Sequence, residues 1–319
     1  MTRLSISPLR SALVATGAAA ALGAAAMFVT AGGPAVAAGG AGPTDPTTTS
    51  TATSTSTATP TTTTTPLPLL CFGMVPTIVG TPGDDTIEGT AGDDVIVGLA
   101  GADTINGNGG NDTICAGDNT LHAHDASPNA AIEGFDVAHG GDGNDRIDGQ
   151  GGVDKLYGDD GDDLLLGGDN VSRPAPDKPV AEIAEFLQGG LGNDTLRGGP
   201  GLNHLWGSYG NDTLLGGPDT DVLKGRQGDD TMAGGPGNDT IRGYYGNDSG
   251  AGNHGDDNVA DKVTSVDNDR YYGGYGADVL KGRGGDDQLT GGPGTDHIWG
   301  GAGTDTCTSP AHKPGAMGC

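Results

Sequence analysis

Gly80-Thr81-Pro82-Gly83-Asp84-Asp85-Thr86-Ile87-Glu88 is followed without a gap by Gly89-Thr90-Ala91-Gly92-Asp93-Asp94-Val95-Ile96-Val97, and then by Gly98-Leu99-Ala100-Gly101-Ala102-Asp103-Thr104-Ile105-Asn106. A unit of nine residues restarts each time, with glycine at positions one and four, aspartate at six and an aliphatic residue at eight. The next unit opens at Gly107, and further regular units open at Gly140, Gly149 and Gly158. Eight more run unbroken from Gly189 to Ala260, and four from Gly273 to Thr308. Of these nineteen units eighteen carry aspartate at position six, Asn203 being the exception; position eight departs from aliphatic or Met only at Gly250 and Cys307. Self-similarity at a fixed short period is the signature of a solenoid, in which each unit buries its apolar side chain only by stacking on the next.

Each position of the unit has a physical reading. Glycines one and four are expected to supply positive φ and a tight turn. Residues seven to nine are expected to form a very short strand whose position-eight side chain points inward. One nonamer buries one aliphatic chain, which cannot offset the ordering of nine residues at about 1–2 kcal/mol of backbone entropy each. Stacked aspartates also repel one another. A hard cation answers both difficulties: Ca²⁺ takes six to eight oxygen ligands, and glycine-rich turns offer carboxylates and backbone carbonyls together.

These units closely resemble the RTX, or haemolysin-type calcium-binding, repeat family over residues 80–308, in the G-G-x-G-x-D-x-U-x form. The resemblance implies an all-β, right-handed parallel β-roll, or β-solenoid, in which successive nonamers alternate sides and two make one coil. It implies multiple Ca²⁺ ions between turns two repeats apart, with the position-six aspartates as side-chain ligands. Those are Asp85, Asp94, Asp103, Asp112, Asp145, Asp154, Asp163, Asp194, Asp212, Asp221, Asp230, Asp239, Asp248, Asp257, Asp278, Asp287, Asp296 and Asp305. Asn203, and Asp219 in place of a fourth-position glycine, depart from the pattern. The leader, the Cys71 start and the Cys307–Cys319 end look like those of secreted actinobacterial members.

Composition agrees. Of 319 residues 63 are glycine, aromatics make up 4%, and 42 acidic against 15 basic residues leave a net charge of −27. Such a balance disfavours nucleic acid and anionic membrane as partners. Arg3, Arg10, the small apolar run 11–31 and Ala35-Val36-Ala37 have the anatomy of a secretory signal peptide over residues 1–37, with no membrane insertion after cleavage. Residues 38–70 form a Thr/Ser/Pro-rich linker open to O-glycosylation; between Thr44 and Thr65 fourteen of twenty-two residues are threonine. Residues 71–319 are then the roll, in an extracellular, disulfide-permissive setting. Of three possible disulfide connectivities, Cys71–Cys115 with Cys307–Cys319 is preferred, because the ends of a solenoid lie too far apart to be bridged.

The register breaks three times, giving excursions near residues 119–135, 170–184 and 261–268. These close on Asp136-Val-Ala-His139, Glu185-Phe-Leu187-Gln188 and Asp269-Arg-Tyr271-Tyr272. The two long ones fall at odd unit counts, so both should leave the same side of the roll, two coils apart. They could build one surface from His122, His124, Asp125, Glu133 and Phe135, facing Arg173, Asp177, Lys178, Glu182 and Phe186; His122-x-His124 could hold a transition metal. Trp206, Tyr209, Tyr244, Tyr245, Tyr272, Tyr275 and Trp299 fall at turn or ninth positions and should face outward, where rings can stack on sugars. No H-E-x-x-H, G-x-S-x-G, phosphate-loop Gly-Lys or EF-hand loop occurs, and no length remains for a catalytic domain. The chain is therefore expected to be non-enzymatic: a secreted calcium-binding protein folded by its ions. Alternatives are an adhesin or glycan-binding module with a cell-surface partner, and an accessory module of a polysaccharide-acting system.

Overall fold

The computed structural model describes residues 69–118, 135–168, 184–262, 266–309 and 317–319. The leader, most of the linker and nearly all of the two long excursions lie outside the described residues. So do His122, His124, Asp125, Glu133, Arg173, Asp177, Lys178 and Glu182, and with them the excursion surface and the histidine pair.

Among the described residues twenty-four strands form two twelve-stranded parallel sheets. The first sheet starts at Ile78–Val79 and takes every odd strand of the chain; the second starts at Thr86–Glu88 and takes every even one. Each strand pairs with the one two units later, so that Ile87 lies beside Ile105 and Leu205 beside Leu223. Two nonamers make one coil, and the parallel β-roll stands. Several strands are longer than positions seven to nine, running on through three residues of the next unit, as in Val222–Gln227 and Thr240–Tyr245.

Position eight from both sheets meets in one column that includes Ile105, Ile114, Leu156, Leu196, Leu214 and Ile298, all fully buried. The column has one exchange. Gly250 has no side chain to contribute, and the ring of Tyr271, its partner one coil on, fills the space; a Cβ at Gly250 would stand 3.1 Å from that ring and 3.2 Å from Ile241 and Val259.

The glycines divide by role. Position four has positive φ in most units, for example 145° at Gly161, though not at Gly83, Gly92 or Gly294. Position one does not: the second residue with positive φ is position two. Position one must be glycine for a steric reason, since a Cβ on Gly149 would lie 2.5 Å from Oδ2 of Asp154 and 2.7 Å from the Gly167 carbonyl one coil on. Sequence reading attributed to backbone freedom what is in fact a close approach of oxygens.

Both ends are pinned as preferred. Cys71 bridges Cys115 (Cα–Cα 5.8 Å) and, with Val97, forms a small buried patch on the outside of the first sheet. Cys307 occupies the last inward position of the first sheet and bridges Cys319 (6.2 Å), next to the strand Met317–Gly318 that ends the second sheet.

The long excursions depart after Thr113–Asp118 and Leu164–Leu166. Both strands belong to the first sheet and only Arg146–Gly151 lies between them, so the departures share one edge, two coils apart. The short one departs after Asn258–Ala260 of the second sheet, at the opposite edge. Phe186 is not part of an excursion: it sits in Glu185–Leu191 between the rings of Tyr157 and Trp206. Outward placement holds for the aromatic residues, five of which are exposed while Trp206 and Tyr244 are half-buried. They do not make one strip, because Tyr272 and Tyr275 lie on the first sheet and the others on the second.

Candidate metal centres

At the turns the position-six residues stack directly. One ladder runs through Asp94, Asp112, Asp145, Asp163, Asp194, Asp212, Asp230, Asp248, Asp269, Asp287 and Asp305, each N–H donating to Oδ1 of the next at 2.7–3.1 Å. At the opposite edge Asp85, Asp103, Asp136, Asp154, Glu185, Asn203, Asp221, Asp239, Asp257, Asp278 and Asp296 line up in the same way. One rung differs, the Glu185 N–H donating to the Leu202 carbonyl. All eighteen predicted aspartates therefore stand in two rows.

Three acids that sequence reading left out of the ligand set complete these rows: Asp136, Glu185 and Asp269 are buried rungs that close the excursions. Their signal was present, since each opens a D/E-x-U-x tail in register with the repeat. Asp261 is a further buried acid, standing where other units have their first glycine. Nothing in the nonamer marks it.

One carboxylate oxygen of each acid beyond the first rungs, Asp85 and Asp94, is thus spent on the ladder. The second, Oδ2, is buried at Asp112, Asp163, Asp194, Asp212, Asp230, Asp239 and Asp257 and meets no hydrogen-bond donor among the described residues. A buried charged oxygen left so is costly. Burial accordingly pushes these carboxyls up, to about 6 at Asp212, about 7 at Asp163 and Asp230, and about 8 at Asp194 and Asp248, against backbone N–H bonds that pull them down. The first coil differs: Oδ2 of Asp94 accepts the Thr90 N–H (2.6 Å) and hydroxyl (2.9 Å), and the N–H bond holds its carboxyl below the usual range. The end rungs Asp85, Asp296 and Asp305 are half-buried, having a neighbour on one side only.

Asn203 identifies the oxygens that converge on such a point. Its side-chain Nδ2 donates to the carbonyls of Gly199 (3.0 Å) and Gly201 (3.0 Å) and to Oδ1 of Asp221 (2.9 Å). Where a unit lacks the position-six carboxylate, an amide nitrogen lies among the carbonyls of positions two and four and the carboxylate one coil on. In the other units the same backbone places an acid there instead. No three His, Cys, Asp or Glu side chains converge at one point among the described residues, so a cation in these turns draws mainly on backbone oxygen. Such a donor set suits a hard ion and not a nitrogen- or sulfur-seeking one. The residues fit calcium.

A second ladder, unforeseen, runs outside the first at position five, through Asp93, Asn111, Asn144, Asp162, Asn193, Asn211, Asp229, Asn247, Asn268 and Asp286. Here the side-chain oxygen accepts from the following coil, in the opposite sense. At Gly216-Gly217-Pro218-Asp219 the turn is kept because the Asp219 carboxylate accepts the Gly201 N–H (2.9 Å).

The model of the RTX calcium-binding nonapeptide repeat matches residues 79–114, 132–169, 188–223, 224–259 and 267–307, more than half of the chain. No curated protein matches it. With its period, its two acid ladders and its parallel coils accounted for, the chain belongs to the RTX calcium-binding nonapeptide repeat family.

Proposed function

We propose that this is a secreted, non-catalytic calcium-binding protein whose ions drive its own folding once it has left the cell, with residues 1–37 as leader, 38–70 as linker and 71–319 as the folded roll. The observation that carries the reading is the run of buried Oδ2 atoms without donors beside backbone carbonyls, in a roll whose core receives one side chain per nonamer. A ligand bound by the folded state alone stabilises it by RT ln(1 + [L]/Kd) per site.

Asn203→Asp tests the ligand assignment. A carboxylate there is expected to add one Ca²⁺ to the calorimetric stoichiometry and to lower stability in metal-free buffer, since it exchanges three amide hydrogen bonds for repulsion with Asp221. An unchanged ion count would refute position six as the ligand.

The pH dependence has a definite sign. Burial raises the folded carboxyls to about 6–8, above about 3.9 for an unfolded aspartate. The metal-free folded chain therefore holds protons that the unfolded chain releases, and its stability is greatest at low pH and falls as pH rises through 6–8. Circular dichroism in metal-free buffer should retain more β signal at pH 5 than at pH 8. Ca²⁺ binding should tighten over the same range and release protons; affinity independent of pH would contradict this.

A further inference from the structure

Most acids of the roll lie in its turns. A group of its cations does not. Lys224 and Arg226 in Val222–Gln227, Arg242 in Thr240–Tyr245, Lys262 just after Asn258–Ala260, and Lys281 and Arg283 in Val279–Gly284 stand on four neighbouring strands of the second sheet. They fall at positions nine and two, on the outer face, so six of the chain's 15 basic residues share one patch. Alternate residues of one strand lie about 6–7 Å apart and neighbouring strands about 4.8 Å, which sets the charges in a two-wide row along the roll.

Two features separate this patch from a random scatter of basic residues. First, most of its cations rest on aromatic rings, and five of the six have no carboxylate partner among the described residues. Lys224 and Arg226 rest on the Trp206 ring at 4.6 and 4.5 Å from its centroid, Lys281 on Trp299 at 5.5 Å and Lys262 on Tyr245 at 4.0 Å. None of Lys224, Arg226, Arg242, Lys281 and Arg283 forms an ion pair with a carboxylate among the described residues, and Nε of Arg283 is buried without a partner. Second, small Ala260 between Arg242 and Lys281 leaves a cavity of about 210 Å³, lined also by Tyr244, Lys262, Arg283 and the buried Asp261, whose Oδ1 accepts the Tyr244 N–H. Arg226 and Arg283 have φ of 91° and 85° at position two, where other coils have glycine, such as Gly190 and Gly235, and where Leu99 and Gln150 outside the patch also keep positive φ.

We propose that this face binds a linear acidic polysaccharide, one bearing carboxylate or sulfate on its repeating sugars. A flat row one strand-crossing wide, with acid-rich turns on both sides, accepts a single extended polyanion and repels a broad one. The Trp206 ring, which carries both Lys224 and Arg226, is half-buried and offers little open face for stacking nucleobases. The net charge of −27 does not forbid the interaction once the proposed calcium sites are filled, because the ions neutralise the turns and leave this face positive. Binding thus rests on the calcium-folded roll and requires it.

Calorimetry in saturating Ca²⁺ and low salt, with circular dichroism on each sample, tests this with a chondroitin sulfate oligosaccharide, an uncharged dextran oligosaccharide and a dT homopolymer. The chain should bind chondroitin sulfate and not dextran. Arg226→Gly with Arg283→Gly removes two charges and relieves two strained residues, so thermal stability should hold or rise. Affinity should fall by about tenfold or more, the scale of losing charge-assisted hydrogen bonds. Arg197→Ala with Arg270→Ala, which removes the same charge from the first sheet, should change affinity less than about twofold. Absence of binding by the folded chain, an undiminished affinity in the glycine double variant, or equal or tighter binding of dT overturns the proposal while leaving the calcium reading intact. A chain that stays unfolded in Ca²⁺ overturns both.

Discussion

Asp212→Ala is expected to destabilise the calcium-loaded roll by about 3–5 kcal/mol, the range seen when a buried charged network loses one partner. Asp212 sits in mid-ladder: its Oδ1 accepts the Asp194 N–H at 2.8 Å, and its own N–H donates to Asp230 at 2.8 Å. Alanine leaves the Asp194 amide buried without an acceptor, at about 1–3 kcal/mol, and withdraws one oxygen from the proposed ion. In a solenoid, stability is set by neighbouring repeats, so the damage should divide the roll at that coil. Asp212→Asn separates the two contributions. It keeps an acceptor for Asp194 and can offer an amide to the turn as Asn203 does, so it should cost less than alanine and lower the ion count by at least one. Asp305→Ala, at a half-exposed end rung whose Oδ1 accepts the Asp287 N–H at 3.1 Å, should cost less than Asp212→Ala because water reaches this end of the ladder. Urea midpoints in saturating Ca²⁺ with calorimetric ion counts give all three; equal midpoints for alanine and wild type would refute the ladder's role.

Much of this arrangement was legible in the nonamer. A period of nine with one aliphatic residue specifies the stack, because inward side chains in register have only one another to pack on. The aspartate at six was legible as a ligand candidate for the same reason, and the excursions' shared edge followed from counting units. Other features depend on what coils do to one another. Why position one is glycine follows from the next coil's carbonyl and its own unit's carboxylate, as at Gly149 with Gly167 and Asp154. Tyr271 reads as an aromatic outlier until Gly250 is seen beside it. Asp261 and the basic row on the second sheet carry no local motif at all: 224, 226, 242, 262, 281 and 283 become neighbours only when eighteen residues make a coil and an insertion shifts the last of them. Asp136, Glu185 and Asp269 were within reach of the repeat reading, and a nonamer scored from its second half would have included them.

The proposed ions also explain why so acidic and glycine-rich a chain has a fold at all. Its core column is continuous but one side chain thick per sheet, and its ladders bury carboxyls that burial raises to about 6–8. Near neutral pH without metal, ionising those groups opposes the coil that holds them. Cations in the turns reverse that balance at every rung. Cooperativity should follow, since each proposed ion lies between coils and its site exists only once both have formed.

Removal of calcium is therefore the decisive measurement. Far-ultraviolet circular dichroism and hydrodynamic radius should be followed at pH 8 in excess EDTA and then across a Ca²⁺ titration. The disulfide-intact chain is expected to be expanded and without β signal in EDTA, and to convert in a sigmoidal transition to a compact, strand-rich state within millimolar Ca²⁺. A compact β spectrum in EDTA that added Ca²⁺ leaves unchanged would contradict the account, and the two rows of buried acids would then need another explanation.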